Sequence, residues 1–131
     1  MPGRNRILIA EDDFALANIV RFNLEQAGYR VTWARNGDEA WRAVQAVRFE
    51  LMVTDHEMPQ LTGVELCRRI RTEEELAALP VILLTAKSFE LDPQTIADLR
   101  LSALLPKPFS PRELVSLVDR CLETKVVLAA L

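Results

Sequence analysis

At 131 residues, half of them hydrophobic, the chain is long enough to bury one core and too short for two ordinary domains, so residues 1–131 are expected to form one domain. A net charge of -3 and the lack of any Lys/Arg run exclude a broad positive surface, and no direct nucleic-acid contact is expected. No apolar segment approaches the roughly 18 to 20 residues that span a bilayer, and MPGRNR leads into a strand-like run rather than a signal core, so a soluble, cytoplasmic chain without membrane contact is expected.

Taken in order, ILIA (7–10) reads as a strand, and residues 14–27 have a helical period with Leu16, Ile19, Val20, Leu24 and Ala27 on one side, ending at Gly28. RVTWA (30–34) precedes a helix at 38–47, ELMVTD (50–55) a helix at 63–72, PVILLTA (80–86) a helix from 93, and ALL (103–105) a last helix from 111. Asp92 before Pro93 and Ser110 before Pro111 set a cap residue ahead of proline at the first helical position, and Glu113 completes a Ser-x-x-Glu capping box. The apolar tail KVVLAAL (125–131) extends that last helix. Cys67 and Cys121 show no ligand spacing and read as a reduced, partly buried pair.

Five β-α units in strict alternation imply a three-layer α/β sandwich, a parallel sheet covered by helices on both faces. The first, third and fourth runs are apolar on successive residues, as strands buried on both sides must be. In such sheets ligands bind beyond the carboxyl ends of the strands, so the residues ending each run belong together. They are Glu11, Asp12 and Asp13, then Asp55, Thr85 and Lys107.

Carboxylates from two strand ends repel by on the order of 4 kcal/mol per pair about 4 Å apart at an effective dielectric near 20, so something positive must hold them. Lys107 is one charge against at least three. The ligands on offer are all oxygens, which favours Mg²⁺ over Zn²⁺. Plainer readings exist for single members: Asp13 as the cap of the first helix, Thr85 as an ordinary β-branched strand residue, Lys107 as a solvated loop lysine, although Pro106 and Pro108 on either side of it argue for a fixed backbone.

The stretch LMVTDHEMPQLTG (51–63) places Asp55, His56 and Glu57 in a row. Successive side chains along a strand point to opposite faces, so with Asp55 facing the site His56 is directed away and reads as a packed or partly exposed residue. MPQLTG reads as the loop into the third helix, with Gly63 letting the backbone turn.

The motifs LIAEDD, MVTDHEMPQLTG, VILLTAK and LPKPF, in this order over about residues 5–124, resemble the receiver domain of bacterial two-component response regulators. The intervals of 43 residues from Asp12 to Asp55, 30 to Thr85 and 22 more to Lys107 suit that family. The resemblance implies a flavodoxin-like fold, five parallel strands in order 2-1-3-4-5 with five helices. It implies that Asp55 accepts a phosphoryl group from a sensor histidine kinase or histidine phosphotransfer protein. Mg²⁺ would be bound by Asp12 and Asp55, by Glu11 through a water and by the backbone carbonyl of Glu57, whose side chain would tune the phosphoryl lifetime. Thr85, Ala86 and Lys107 would meet the phosphoryl oxygens, and the Lys107–Pro108 bond would be cis.

Two features depart from the family. Leu104 stands where relatives carry Tyr or Phe, so the aromatic part of the switch is lacking. LRLSALL (99–105) is loaded with leucine and puts Arg100 where glycine is common; it reads either as core packing against the fourth and fifth helices or as an apolar docking surface. A homodimer or effector is expected to use residues 92–124. Only a few residues follow the last helix, so the domain is expected to act by binding a partner or to have been separated from an effector. The competing readings are a degenerate receiver that works as a phosphorylation-independent interaction domain, and a Mg²⁺-dependent phosphohydrolase with an aspartyl-phosphate.

Overall fold

The computed structural model describes residues 5–87 and 90–130, with side chains as far as residue 123. Five strand-helix pairs follow one another: β1 (Arg6–Ala10) and α1 (Phe14–Gln26), β2 (Arg30–Ala34) and α2 (Gly37–Ala46), β3 (Leu51–Asp55) and α3 (Gly63–Thr72), β4 (Val81–Thr85) and α4 (Pro93–Leu99), β5 (Ala103–Pro106) and α5 (Pro111–Ala130). The strands are all parallel, in the order β2-β1-β3-β4-β5. This is the expected doubly wound sandwich, and it puts β1, β3 and β4 in the middle of the sheet.

The period of two along those central strands divides the core into two layers. Ile7, Ile9, Leu51, Val53, Ile82 and Leu84 pack with Val20 and Leu24 of α1 and Leu114 and Val118 of α5. Leu8, Ala10, Met52 and Leu83 point the other way, onto Ala40 and Val44 of α2, Leu66, Cys67 and Ile70 of α3, and Leu99. β3 and β4 are buried at every residue. With each buried Leu or Ile contributing roughly 2 kcal/mol, these strands form the rigid base from which the strand-end residues project.

Helix ends follow local chemistry. Gly28 takes φ 101° just beyond α1, a conformation open to glycine without a Cβ clash. Asp13 caps α1, accepting the Ala15 and Leu16 N–H groups at 3.0 and 3.2 Å, which bears out its plainer reading. Ser110 accepts the Glu113 N–H at 3.1 Å at the head of α5. α5 continues to Ala130 and takes in the 125–131 stretch except Leu131, which lies outside the described residues.

Three expectations need correction. On α1 the buried side is Ala17, Val20 and Leu24, while Ile19 is 47% exposed, because the helix presents the 17-20-24 row to the sheet. Asp92 stands at the head of α4 with Pro93 after it, but its side chain makes no capping bond. Gly63 is not a turn residue: it opens α3, and the left-handed position of the loop is Gln60, φ 70°. A reciprocal capping box between Thr62 and Glu65, which the sequence reading passed over, starts that helix.

The leucine-rich segment is core. Leu99 is buried, Leu101 and Leu104 pack against the layer holding α2 and α3, and Leu105 against the layer holding α5. Leu104 sits in register with Leu83. Arg100 adopts the left-handed conformation at φ 51°, ψ 48° that ends α4.

Candidate functional site

The carboxyl ends of β1, β3, β4 and β5 converge because the parallel register brings Ala10 beside Thr54, Asp55 beside Leu84, and Thr85 beside Pro106. Glu11, Asp12 and Asp55 offer carboxylate oxygens that all lie within 4.8 Å of one another. Glu11 and Asp55 are buried and Asp12 is exposed, so the group opens to solvent on the Asp12 side.

The acidic loop is pinned by its backbone. The Glu11 N–H donates to Ala34 at 3.0 Å, and the Trp33 indole N–H donates to the Glu11 carbonyl at 2.7 Å. Glu11 Oε2 turns back to accept the Asp13 N–H at 3.0 Å. Trp33 was not singled out from the sequence, although its place next to the last residue of β2 is where a side chain reaches the loop after β1.

Lys107 enters from the far side. Its Nζ is 2.7 Å from Asp55 Oδ1 and 3.7 Å from Glu11 Oε1. Its N–H donates to the Thr85 carbonyl at 2.8 Å, tying the β5-α5 loop to β4, and the Lys107–Pro108 bond is cis as expected. Among the described residues, Lys107 is the one group that meets Glu11 Oε1 and Asp55 Oδ1.

The charges are unbalanced in the way the sequence implied. Burial lifts the Glu11 carboxyl from its ordinary range to about 7, against the pull of the Asp13 N–H and Lys107. Burial raises Asp55 as well, with the Lys107 ammonium opposing. Lys107 is pushed up: burial works against its charge, and Asp55, Glu11 and Glu57 outweigh that. Three carboxylates within 4.8 Å of one another, an all-oxygen donor set and a single ammonium against them suit a hard divalent cation.

Thr85 and Ala86 are brought to the same edge but bond elsewhere. The Thr85 hydroxyl meets Glu57 Oε2 at 2.6 Å, and the Ala86 N–H donates to Glu57 Oε1 at 2.8 Å. These bonds hold the Glu57 carboxyl below the usual range in spite of its burial. Glu57 is expected from the resemblance to act through its backbone carbonyl with a tuning role for its side chain, and that side chain also bridges from the β3 loop to the end of β4.

His56 is turned from the carboxylates, as alternation required. Its Nδ1 accepts the Val64 N–H at 3.3 Å, and its carbonyl accepts the Met58 and Gly63 N–H groups, so it organises the β3-α3 loop. Cys67 is buried and Cys121 half-buried, both free thiols.

A doubly wound parallel sheet with this acid, hydroxyl and lysine set at its carboxyl edge defines a receiver, and comparison with known proteins agrees. The family model of the response regulator receiver domain matches residues 7–119, and the chain belongs to that family. It is 32% identical over 95% of its length to the alkaline phosphatase synthesis transcriptional regulatory protein PhoP of Bacillus subtilis, and 36% identical over 89% to the phosphate regulon transcriptional regulatory protein PhoB of Rhizobium meliloti. It covers 51% and 52% of those two proteins, so the chain spans about half the length of the curated relatives it matches. Among solved structures, the chemotaxis response regulator CheY4 of Vibrio cholerae superposes with a TM-score of 0.82 at 28% identity, covering 89% of this chain and 98% of that one.

The chain is therefore a receiver domain of two-component signalling, a signalling domain rather than a conventional enzyme, in a family that generally uses phosphorylation and Mg²⁺. This sets aside the phosphohydrolase alternative. Among the described residues no helix is long and apolar enough to cross a membrane.

Proposed function

We propose that Asp55 is the phosphoacceptor, taking its phosphoryl group from a phosphohistidine of a sensor histidine kinase or histidine phosphotransfer protein. The observation that carries this is the ion pair of Lys107 Nζ with the buried Asp55 Oδ1 at 2.7 Å, on the carboxylate that is the last residue of β3. A carboxylate oxygen of Asp55 forms the new O–P bond, the P–N bond to histidine breaks, and the imidazole nitrogen leaves with the bond's electrons and takes up a proton. Lys107 stands where it neutralises charge on the transferring oxygens and holds Asp55 in place.

Mg²⁺ is the cofactor this donor set fits: Asp12 and Asp55 would hold it directly, Glu11 through a water, and Glu57 through its backbone carbonyl. When bound it supplies positive charge against the phosphoryl oxygens. Residues 1–131 act as one receiver domain in the cytoplasm, with residues 92–124 as the surface that passes the change to a second copy or an effector. Leu104 makes the response of residues 99–110 smaller than in relatives with an aromatic there.

Incubation with acetyl phosphate and Mg²⁺, followed by intact mass measurement, tests the assignment. One phosphate increment, lost in Asp55→Ala, is expected. A domain that takes no label from any phosphodonor would be the degenerate receiver.

A further inference from the structure

Thr85 and Ala86, the groups expected to meet phosphoryl oxygens, are already engaged. The Thr85 hydroxyl lies 2.6 Å from Glu57 Oε2, and the Ala86 N–H reaches Glu57 Oε1 at 2.8 Å. The direction of the first bond follows from its surroundings. Thr85 Oγ accepts the Lys87 N–H at 3.0 Å, and a carboxylate can only accept, so the single hydroxyl proton goes to Glu57. A hydroxyl and a backbone amide each have one proton to give. Neither can serve Glu57 and a phosphoryl group together.

We propose that the Glu57 carboxylate is a latch that holds the Thr85 hydroxyl and the Ala86 N–H until a phosphoryl group on Asp55 takes them over. The inference rests on the phosphoacceptor reading of Asp55. An ionised carboxylate offers these donors two anionic oxygens, as a phosphoryl group would, so it preserves the resting position of the β4 end. Glu57 stands two residues beyond Asp55. A phosphoryl group there sets more negative charge near the Glu57 carboxylate and competes for both of its donors. Release of Glu57 and capture of Thr85 are then a single exchange of one anion for another, and the side chain at position 57 sets how readily the domain responds.

The test titrates beryllofluoride, with saturating Mg²⁺, into the wild type and into Glu57→Asp, Glu57→Gln and Glu57→Ala, following backbone amides by NMR. Exchange of the Ala86 amide is measured in the ligand-free proteins. Glu57→Asp keeps the charge and shortens the side chain by one methylene, which separates a latch from simple repulsion. Ala86 is expected to exchange at least about tenfold faster in Glu57→Asp and Glu57→Ala. Both should bind beryllofluoride at least about tenfold more tightly, or about 1.4 kcal/mol.

A gain confined to Glu57→Gln and Glu57→Ala overturns the latch in favour of charge repulsion. Unchanged or weaker binding in every variant overturns it outright. Absence of binding in the wild type and all variants removes the phosphoacceptor reading, and the exchange with it; the Ala86 amide then still reports separately whether Glu57 holds it.

Discussion

Gly63, the first residue of α3, presses on the backbone of the strand end that carries Asp55: a Cβ at Gly63 would lie 2.4 Å from the Asp55 carbonyl oxygen, 2.8 Å from Leu83 Cδ1 and 2.9 Å from His56 Cα. Two of those neighbours are backbone and cannot yield. Gly63→Ala is expected to destabilise the domain by about 3 kcal/mol and to slow phosphoryl uptake by moving Asp55. Urea denaturation and acetyl phosphate labelling measure the two effects; a variant as stable as the wild type would show that α3 can move away at little cost.

Removal of the ammonium at Lys107 leaves the Asp55 and Glu11 carboxylates facing each other without compensation. Lys107→Met is expected to lose about 2–4 kcal/mol at pH 8, because breaking a buried pair strands its partner. The loss should shrink at pH 5, below the value of about 7 to which burial lifts Glu11, because one of the two stranded carboxyls is then neutral. Denaturation curves at both values decide it, and an equal loss at each would mean that the lysine does not control their charge.

Glu11 predicts how pH and Mg²⁺ act together. Its folded pKa of about 7 lies above the ordinary 4.5, so between those values the unfolded chain has released a proton that the folded chain keeps. That stabilising contribution is fully present below pH 4.5 and lost as pH rises through 7, on the order of 3 kcal/mol for this group, with Asp55 acting in the same direction. A cation held by ionised carboxylates reverses the trend. Mg²⁺ should therefore raise the unfolding midpoint more at pH 7.5 than at pH 5; equal shifts would show that Glu11 is already ionised in the metal-free protein.

Arg100 carries a left-handed backbone that glycine would adopt without the Cβ contact. Its carbonyl accepts from Arg71 at 3.3 Å, a bond that does not depend on the side chain at 100. Arg100→Gly is expected to raise stability by about 1 kcal/mol in thermal unfolding. A lower midpoint would reveal a contact of the arginine side chain that outweighs the strain.

The elements were legible because their signals are local. Five apolar runs, each followed by a stretch of helical period, came out as β1 to β5 and α1 to α5 within one or two residues at most ends. The strand ends were legible as a group, since the rule for parallel sheets turns sequence positions into neighbours, and Glu11, Asp12, Asp55 and Lys107 meet as read. The strand order was not in the alternation; it came from the resemblance. The buried side of α1 was misjudged because Leu16, Ile19 and Val20 leave two helical rows equally apolar, and only the sheet beneath selects the row of Ala17.

The chain by itself determined which residues could do chemistry here: oxygen ligands, one hydroxyl and one lysine, each ending an apolar run, with no thiolate or imidazole cluster to compete. That follows from side-chain chemistry and the periods of strand and helix, which are properties of neighbouring residues. Only the tertiary structure decided what each was bonded to. The Glu57 carboxylate reaches across from the β3 loop to Thr85 and Ala86, His56 Nδ1 accepts from the head of α3, and Gly63 is required by the Asp55 carbonyl rather than by a turn. These relationships join residues up to 29 positions apart, and their distances are set by how closely the sheet and its helices pack, which no local pattern in the chain records.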